Sequence, residues 1–303
     1  MNYRSFYFIS FIILFISCQT KPQEDSKFQE IIEEGYELVI PNEPIKGVVV
    51  LFGGYPEQAS DIKREFDILE KAIENDVAIL YSNFNQKIWL KQLEIETLAF
   101  EIKQALENYK LPRDNLHIGG FSSGGNVAVL LSNYLAGNAQ IGIMPRGVFL
   151  VDSPINLKAL YDNAELNIKR DFSEVSVEEA NWLLQKFENT LGNPEDSVAK
   201  FEQYSVYTLQ NQNVSNLRNL KNTKIRLYTE PDSLWWKENR QTDFVNTNAY
   251  QIQELAKVLN QNEFEKVEYL PSHQKGYRSN GNRHPHSWSI INQNDLLDWM
   301  LDP

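Results

Sequence analysis

From Lys46 onward, short unbroken apolar runs alternate with longer segments in which apolar positions recur every three or four residues. Val48-Val49-Val50-Leu51-Phe52, Val77 to Tyr81, Val148-Phe149-Leu150-Val151, Ile225-Arg226-Leu227-Tyr228 and Val267-Glu268-Tyr269-Leu270 have strand length. Near-continuous apolarity, clearest in the first of them, is that of strands buried on both faces. Between the runs, Ile62, Phe66, Leu69 and Ile73 mark one helix face, Ile95, Leu98, Ile102 and Leu106 a second, and Ile252, Leu255 and Leu259 a third. Ile290, Leu297 and Met300 mark a last helix. This alternation predicts an α/β fold, a mostly parallel sheet flanked by helices.

The rhythm breaks between Asp152 and Asn222, where helix-like segments follow one another with no strand among them. Ser176-Val177-Glu178-Glu179 has capping-box spacing ahead of Trp182, Leu183 and Phe187, and Gly192 and Pro194 stop that helix. The segment 153–222 therefore reads as a helical cap insertion folded over the carboxyl edge of the sheet, where it would wall a pocket.

Gly120-Phe121-Ser122-Ser123-Gly124 joins the run Asn115 to Gly119 to a helical segment carrying Val127, Leu130, Leu131 and Tyr134. A serine on such a strand-to-helix turn presents its Oγ to a substrate, although a helix-capping turn has the same spacing. As a nucleophile it needs a base within reach and an acid that orients the base. Thr229-Glu230-Pro231-Asp232 follows a later strand and offers Asp232 or Glu230 as that acid. Asp232 is preferred, because Glu230 lies close enough to the strand to be committed to the sheet.

Of four histidines, His117 lies inside a strand, His273 follows Leu270-Pro271, and His284 and His286 precede the last helix. His286 is the better base, with Ser289 as an N-cap behind it. The His-x-His spacing also fits metal binding, but no carboxylate or cysteine has matching spacing, so no metal is expected. Oxyanion stabilisation needs aimed N–H groups. Ser123 supplies one, and the loop Gly53-Gly54-Tyr55 supplies another from Gly54 or Tyr55, unless its glycines merely turn the chain.

In this order, and over roughly Gly47 to Met300, these parts resemble the α/β-hydrolase superfamily. The ending His286-Ser287-Trp288 is similar to that of esterase-like members, while the first loop lacks the His-Gly-Gly-Gly of one large lipase and esterase branch. The resemblance implies a serine hydrolase with Ser122 as nucleophile, His286 as base then acid, and Asp232 as orienting carboxylate. It further implies Ser123 with Gly54 or Tyr55 as oxyanion donors, no metal or organic cofactor, and a carboxylic ester cleaved through an acyl-enzyme. A catalytically inactive envelope lipoprotein binding a ligand in the same pocket is the alternative, as is an acyltransferase or peptidase of the same fold. Trp235 and Trp236 either line an apolar site or, the preferred reading, pack the cap against the sheet.

Composition changes this picture at the N-terminus. Arg4 precedes an apolar run from Phe6 to Ile16, so residues 1–17 read as a signal peptide. The run stops at Ser17-Cys18-Gln19, and Cys18 is the only cysteine of the chain. This resembles a bacterial lipoprotein signal, with Cys18 as the lipidated residue, 18–27 as a polar tether and 28–303 as the hydrolase domain. The expected place is the bacterial cell envelope, held to a membrane through that anchor. Extracellular esters, including acyl groups on polysaccharides, would be within reach there. A net charge of −12 without a run of Lys and Arg argues against nucleic acid.

Overall fold

The computed structural model describes residues 26–84 and 87–302. The signal peptide, Cys18 and nearly all of the tether lie outside the described residues. The chain opens with a hairpin, β1 (Phe28–Ile32) and β2 (Tyr36–Pro41), and enters the buried sheet at β3 (Gly47–Phe52). Next come α1 (Ala59–Glu65), α2 (Leu69–Glu74), β4 (Val77–Ser82), α3 (Gln92–Asn108), β5 (Leu116–Phe121), α4 (Ser123–Gly137) and β6 (Gly147–Val151). Three helices follow without a strand, α5 (Leu157–Arg170), α6 (Glu174–Thr190) and α7 (Val198–Tyr204). The chain then returns through β7 (Lys224–Thr229), α8 (Ser233–Arg240), α9 (Asn248–Gln261), β8 (Val267–Pro271) and α10 (Gln293–Leu301).

The eight strands form one sheet in the order β1-β2-β4-β3-β5-β6-β7-β8. Strand β2 runs antiparallel to both of its neighbours, and the other pairs are parallel. Alternation along β3 explains the two-sided cover. Val48, Val50 and Phe52 enter the core beneath α3, α4 and α9, whereas Val49 and Leu51 pack on the side of α1, α2 and α10. Of the hairpin, β1 (Phe28-Gln29-Glu30-Ile31-Ile32) is a half-polar edge strand without a strong apolar run, whereas β2 is interior and carries Leu38-Val39-Ile40. The first predicted helix is two helices, since Phe66 leaves helical geometry at φ −122° and ψ 89°. The N-cap of α6 is Ser173, whose hydroxyl accepts the Ser176 N–H at 3.3 Å, so the helix starts ahead of the predicted capping box.

The cap helices have a core of their own. Leu157, Tyr161, Phe187, Leu191 and Phe201 pack with Ile88 and Trp89 from the loop after β4, and the Trp89 and Phe187 rings stack at 5.2 Å. Because Trp89 and Ile88 belong to the sheet domain, this cluster ties the cap to the body.

His117 on β5 is fully buried with the edge of Trp299 against it at 5.1 Å. Burial, reinforced by the Lys224 and Arg146 charges, lowers its pKa to about 3. The folded state therefore stays unprotonated there while an unfolded imidazole takes up a proton below about pH 6.5. Stability is retained above that pH and falls as the pH drops toward 3, by up to about 1.4 kcal/mol per pH unit for one proton. Urea unfolding of His117→Leu across pH 7 to 4 is expected to show a shallower decline than the wild type.

Candidate active site

The elbow is built by close approach of backbones. Gly120 and Gly124 have no room for a side chain: a Cβ on Gly120 would lie 2.2 Å from the Gly124 carbonyl oxygen, and one on Gly124 2.3 Å from that of Gly53. Between them Ser122 adopts φ 51° and ψ −129°, a positive φ that a non-glycine residue rarely takes. The strain is held by the sheet on one side, where the Ser122 N–H donates to Val151 at 2.9 Å, and by α4 on the other. Gly124→Ala is expected to lower stability by about 1–3 kcal/mol in thermal unfolding, because the backbone it would strike cannot rotate away.

Strands β5 and β6 are parallel neighbours with Phe121 opposite Val151, so the next residue of each, Ser122 and Asp152, leaves the same edge of the sheet side by side. Asp152 also has positive φ, at 44°, and is almost fully buried. Its Oδ1 accepts the Thr229 hydroxyl at 2.8 Å, and its Oδ2 lies 2.7 Å from Nδ1 of His286. His286 comes from the long loop between β8 and α10, and its ring packs on Phe121 at 4.5 Å. Ser122 and His286 line one cavity of about 350 Å³ roofed by the cap.

The carboxylate on His286 is thus neither Asp232 nor Glu230. Asp232 caps α8, its Oδ1 accepting the Trp235 N–H at 3.0 Å, and its Oδ2 is paired with Arg283 at 2.7 Å. Glu230 is buried and also paired with Arg283, while its Oε2 accepts the Ser272 hydroxyl and the Lys275 and Gly276 N–H groups at 2.8 to 2.9 Å. Both carboxylates anchor the loop that carries His286 and do not touch the imidazole. Asp152 directly follows the apolar strand β6 and lies just ahead of the cap insertion at 153–222, a position after a strand that is the signal for an orienting acid.

Among the oxyanion candidates, Ser123 opens α4, so its N–H has no acceptor within the helix and lies at the positive end of the helix dipole. The Tyr55 N–H is taken up by the Ser123 hydroxyl at 3.0 Å, which removes Tyr55 as a donor to substrate. Gly54 sits against Ser122, where an added Cβ would meet the serine Cβ at 2.9 Å, but its N–H donates to Glu57 Oε2 at 2.9 Å. Burial raises the pKa of Glu57, opposed by the Gly54 bond and by one from the Trp288 indole at 3.4 Å.

No protein-family model matches this sequence, and no curated protein matches it either. Solved structures do. FphF, a fluorophosphonate-binding serine hydrolase of Staphylococcus aureus solved with substrate bound, aligns with a TM-score of 0.56 at 14% identity over 91% of this chain and 98% of its own. EstE5, soaked with p-nitrophenyl butyrate, gives 0.55 at 11% identity over 91% and 86%. A fungal esterase of Rhizomucor miehei gives 0.55 at 15% identity over 91% and 82%. The chain has the α/β-hydrolase fold.

Within this fold, the remaining predicted positions have structural contacts. Trp235 and Trp236 pack edge to face at 5.2 Å and against His284, at 4.6 and 5.9 Å, and Trp236 reaches the cavity wall. His284 accepts the His286 N–H on Nδ1 at 3.2 Å, and burial first, then the His286 and arginine charges, lower its pKa to about 3. It stays neutral and fixes the backbone of the residue that carries the base. Ser289 is not an N-cap, a place taken by Asn292 on α10; its hydroxyl instead bonds the Lys275 and Tyr277 carbonyls at 2.9 and 2.8 Å. His273 is exposed on the loop. Among the described residues no cluster of three metal-ligating side chains occurs, and no helix is long and apolar enough to cross a membrane.

Proposed function

We propose that this chain is a serine hydrolase that cleaves a carboxylic ester through an acyl-enzyme. The observation that carries this reading is the Asp152 to His286 contact of 2.7 Å, with His286 opening into the cavity that Ser122 also lines. Asp152, fixed by Thr229, accepts the Nδ1 proton of His286 and thereby leaves the other ring nitrogen as the base. That nitrogen takes the Ser122 hydroxyl proton as Oγ attacks the ester carbonyl. The tetrahedral oxyanion gathers at the N-terminal end of α4, where Ser123 N–H donates to it. Collapse expels the alcohol, which takes the proton back from His286. Water then attacks the acyl-enzyme with His286 again as base, releasing the acid and restoring Ser122.

Structures solved with a substrate or an aryl ester, FphF and EstE5, share the fold, which supports ester chemistry as the first reaction to try. The test is labelling of the folded protein by a fluorophosphonate probe, with mass spectrometry of the modified peptide, alongside turnover of p-nitrophenyl butyrate. Label on Ser122 with measurable turnover is expected. A folded protein that takes no label and hydrolyses no ester would instead be a ligand-binding protein.

The envelope anchor belongs to the same proposal and rests on residues 1–27 of the sequence alone. Radiolabelled palmitate incorporated by the wild type in a bacterial host is expected to disappear in Cys18→Ala.

A further inference from the structure

We propose that the ester cleaved at Ser122 carries a carboxylate, held in the cavity between Arg278 and Arg240. The inference rests on the hydrolase reading above and names the substrate class of that site. Arg278 and Arg240 both line the cavity that contains Ser122 and His286. The Arg278 guanidinium lies 5.4 Å from the centre of the Phe121 ring, the ring that packs on His286 at 4.5 Å. It is therefore placed one aromatic ring away from the reacting group.

Two other arginines withdrawn from solvent are ion-paired in this fold. Arg226 pairs with Glu268 and Asp295, and Arg283 with Glu230 and Asp232. Among the described residues, the Arg278 side chain has no ion pair and no hydrogen bond. Its nearby carboxylates are engaged elsewhere: Glu57 with Gly54 and Trp288, Glu65 with Ser279 and Arg64, and Asp152 with His286 and Thr229. Arg240, in the last turn of α8, is also without an ion pair, although Lys237 beside it is bonded to Asp243. Burial lowers the pKa of Arg278, opposed by the charges of Glu57, Glu65 and Asp152, with the Arg240 charge adding a smaller lowering. Two guanidinium groups facing one cavity, neither ion-paired among the described residues, favour an anion between them.

The surroundings fit a polar substrate. The polar side chains Asn163, Asn167, Ser176 and Thr242 line the same cavity. Glu179 is the carboxylate in the wall, exposed on α6. A chain of net charge −12 repels acidic esters at long range, so a local pair of guanidinium groups is what could hold one, with the fork of an arginine matching a carboxylate.

The test uses two matched pairs of aryl esters on the full domain. In one the carboxylate is on the acyl side, p-nitrophenyl hemiglutarate against p-nitrophenyl methyl glutarate. In the other it is on the alcohol side, 4-butyryloxybenzoate against its methyl ester. The acid is expected to exceed its neutral partner in kcat/KM by about tenfold in one pair, which also tells which side of the scissile bond faces Arg278. The ratio should fall as salt is added. Arg278→Gln should reduce it by about tenfold, exposed Arg240→Gln in the same direction by less, and Arg113→Gln, remote from the cavity, not at all. Ratios at or below one in both pairs, or ratios that survive both cavity substitutions, would overturn the proposal while Ser122 labelling and neutral-ester turnover still upheld the hydrolase. Loss of labelling and of all four turnovers would overturn the hydrolase reading itself, and this inference with it.

Discussion

Ser122→Ala is expected to lower kcat for p-nitrophenyl butyrate by about 10⁶-fold, and His286→Ala by a comparable factor, with the double variant little worse than either. The effects do not add because the two side chains perform one step. Without the hydroxyl no acyl-enzyme forms, and without the imidazole the hydroxyl keeps its proton. What remains is the binding cavity and the N–H groups at the start of α4, which still polarise a carbonyl. Folding is not at stake for Ser122→Ala, since the elbow geometry comes from Gly120, Gly124 and the Ser122 N–H to Val151 bond. Steady-state turnover, with the active fraction counted by fluorophosphonate labelling, checks the result. Residual activity above about 1% of wild type would place the nucleophile elsewhere.

Asp152→Asn is the second large effect, about 10⁴-fold in kcat with the fold intact. The amide keeps the shape of the side chain and can still accept from Thr229. Its NH₂ group, however, turns toward His286 and favours the tautomer whose free nitrogen faces Asp152 and not Ser122. Asp232→Asn should change kcat by no more than about tenfold, because its partners are the Trp235 N–H and Arg283. Its cost falls on stability, as does that of Glu230→Gln, which weakens a buried ion pair and three hydrogen bonds to the loop bearing His286. Turnover and thermal unfolding of the three variants separate an orienting acid from a loop anchor. If Asp232→Asn proved the catalytically severe one, the assignment to Asp152 would fall.

Much of the architecture is legible in the chain because it depends on neighbours in sequence. Continuous apolar runs such as Val48 to Phe52 mean strands covered on both faces, and Gly120-Phe121-Ser122-Ser123-Gly124 between a strand and a helix means a tight elbow. His286 was found by its position ahead of the last helix. Strand β1 was not legible, since a half-exposed edge strand has no apolar signature, although Leu38-Val39-Ile40 in β2 does have one. The oxyanion loop was legible as a loop but not in its hydrogen bonds. Tyr55 is bonded to Ser123, a residue 68 positions away in sequence, and Gly54 to the half-buried Glu57.

The sequence by itself determined the alternating strands and helices, the serine on the elbow and the histidine ahead of the last helix, because periodicity, glycine spacing and loop position are local properties. Only the tertiary structure decided which carboxylate meets His286. Asp152 follows β6, Glu230 and Asp232 follow β7, and these parallel strands are neighbours that end on the same edge of the sheet, so all three carboxylates emerge there. The choice is made by Arg283, which draws the later pair to the foot of the loop, and by the strand order, which sets Asp152 beside Ser122 and within 2.7 Å of the incoming imidazole. Contacts of that kind join residues 134 positions apart, and no pattern along the chain encodes them.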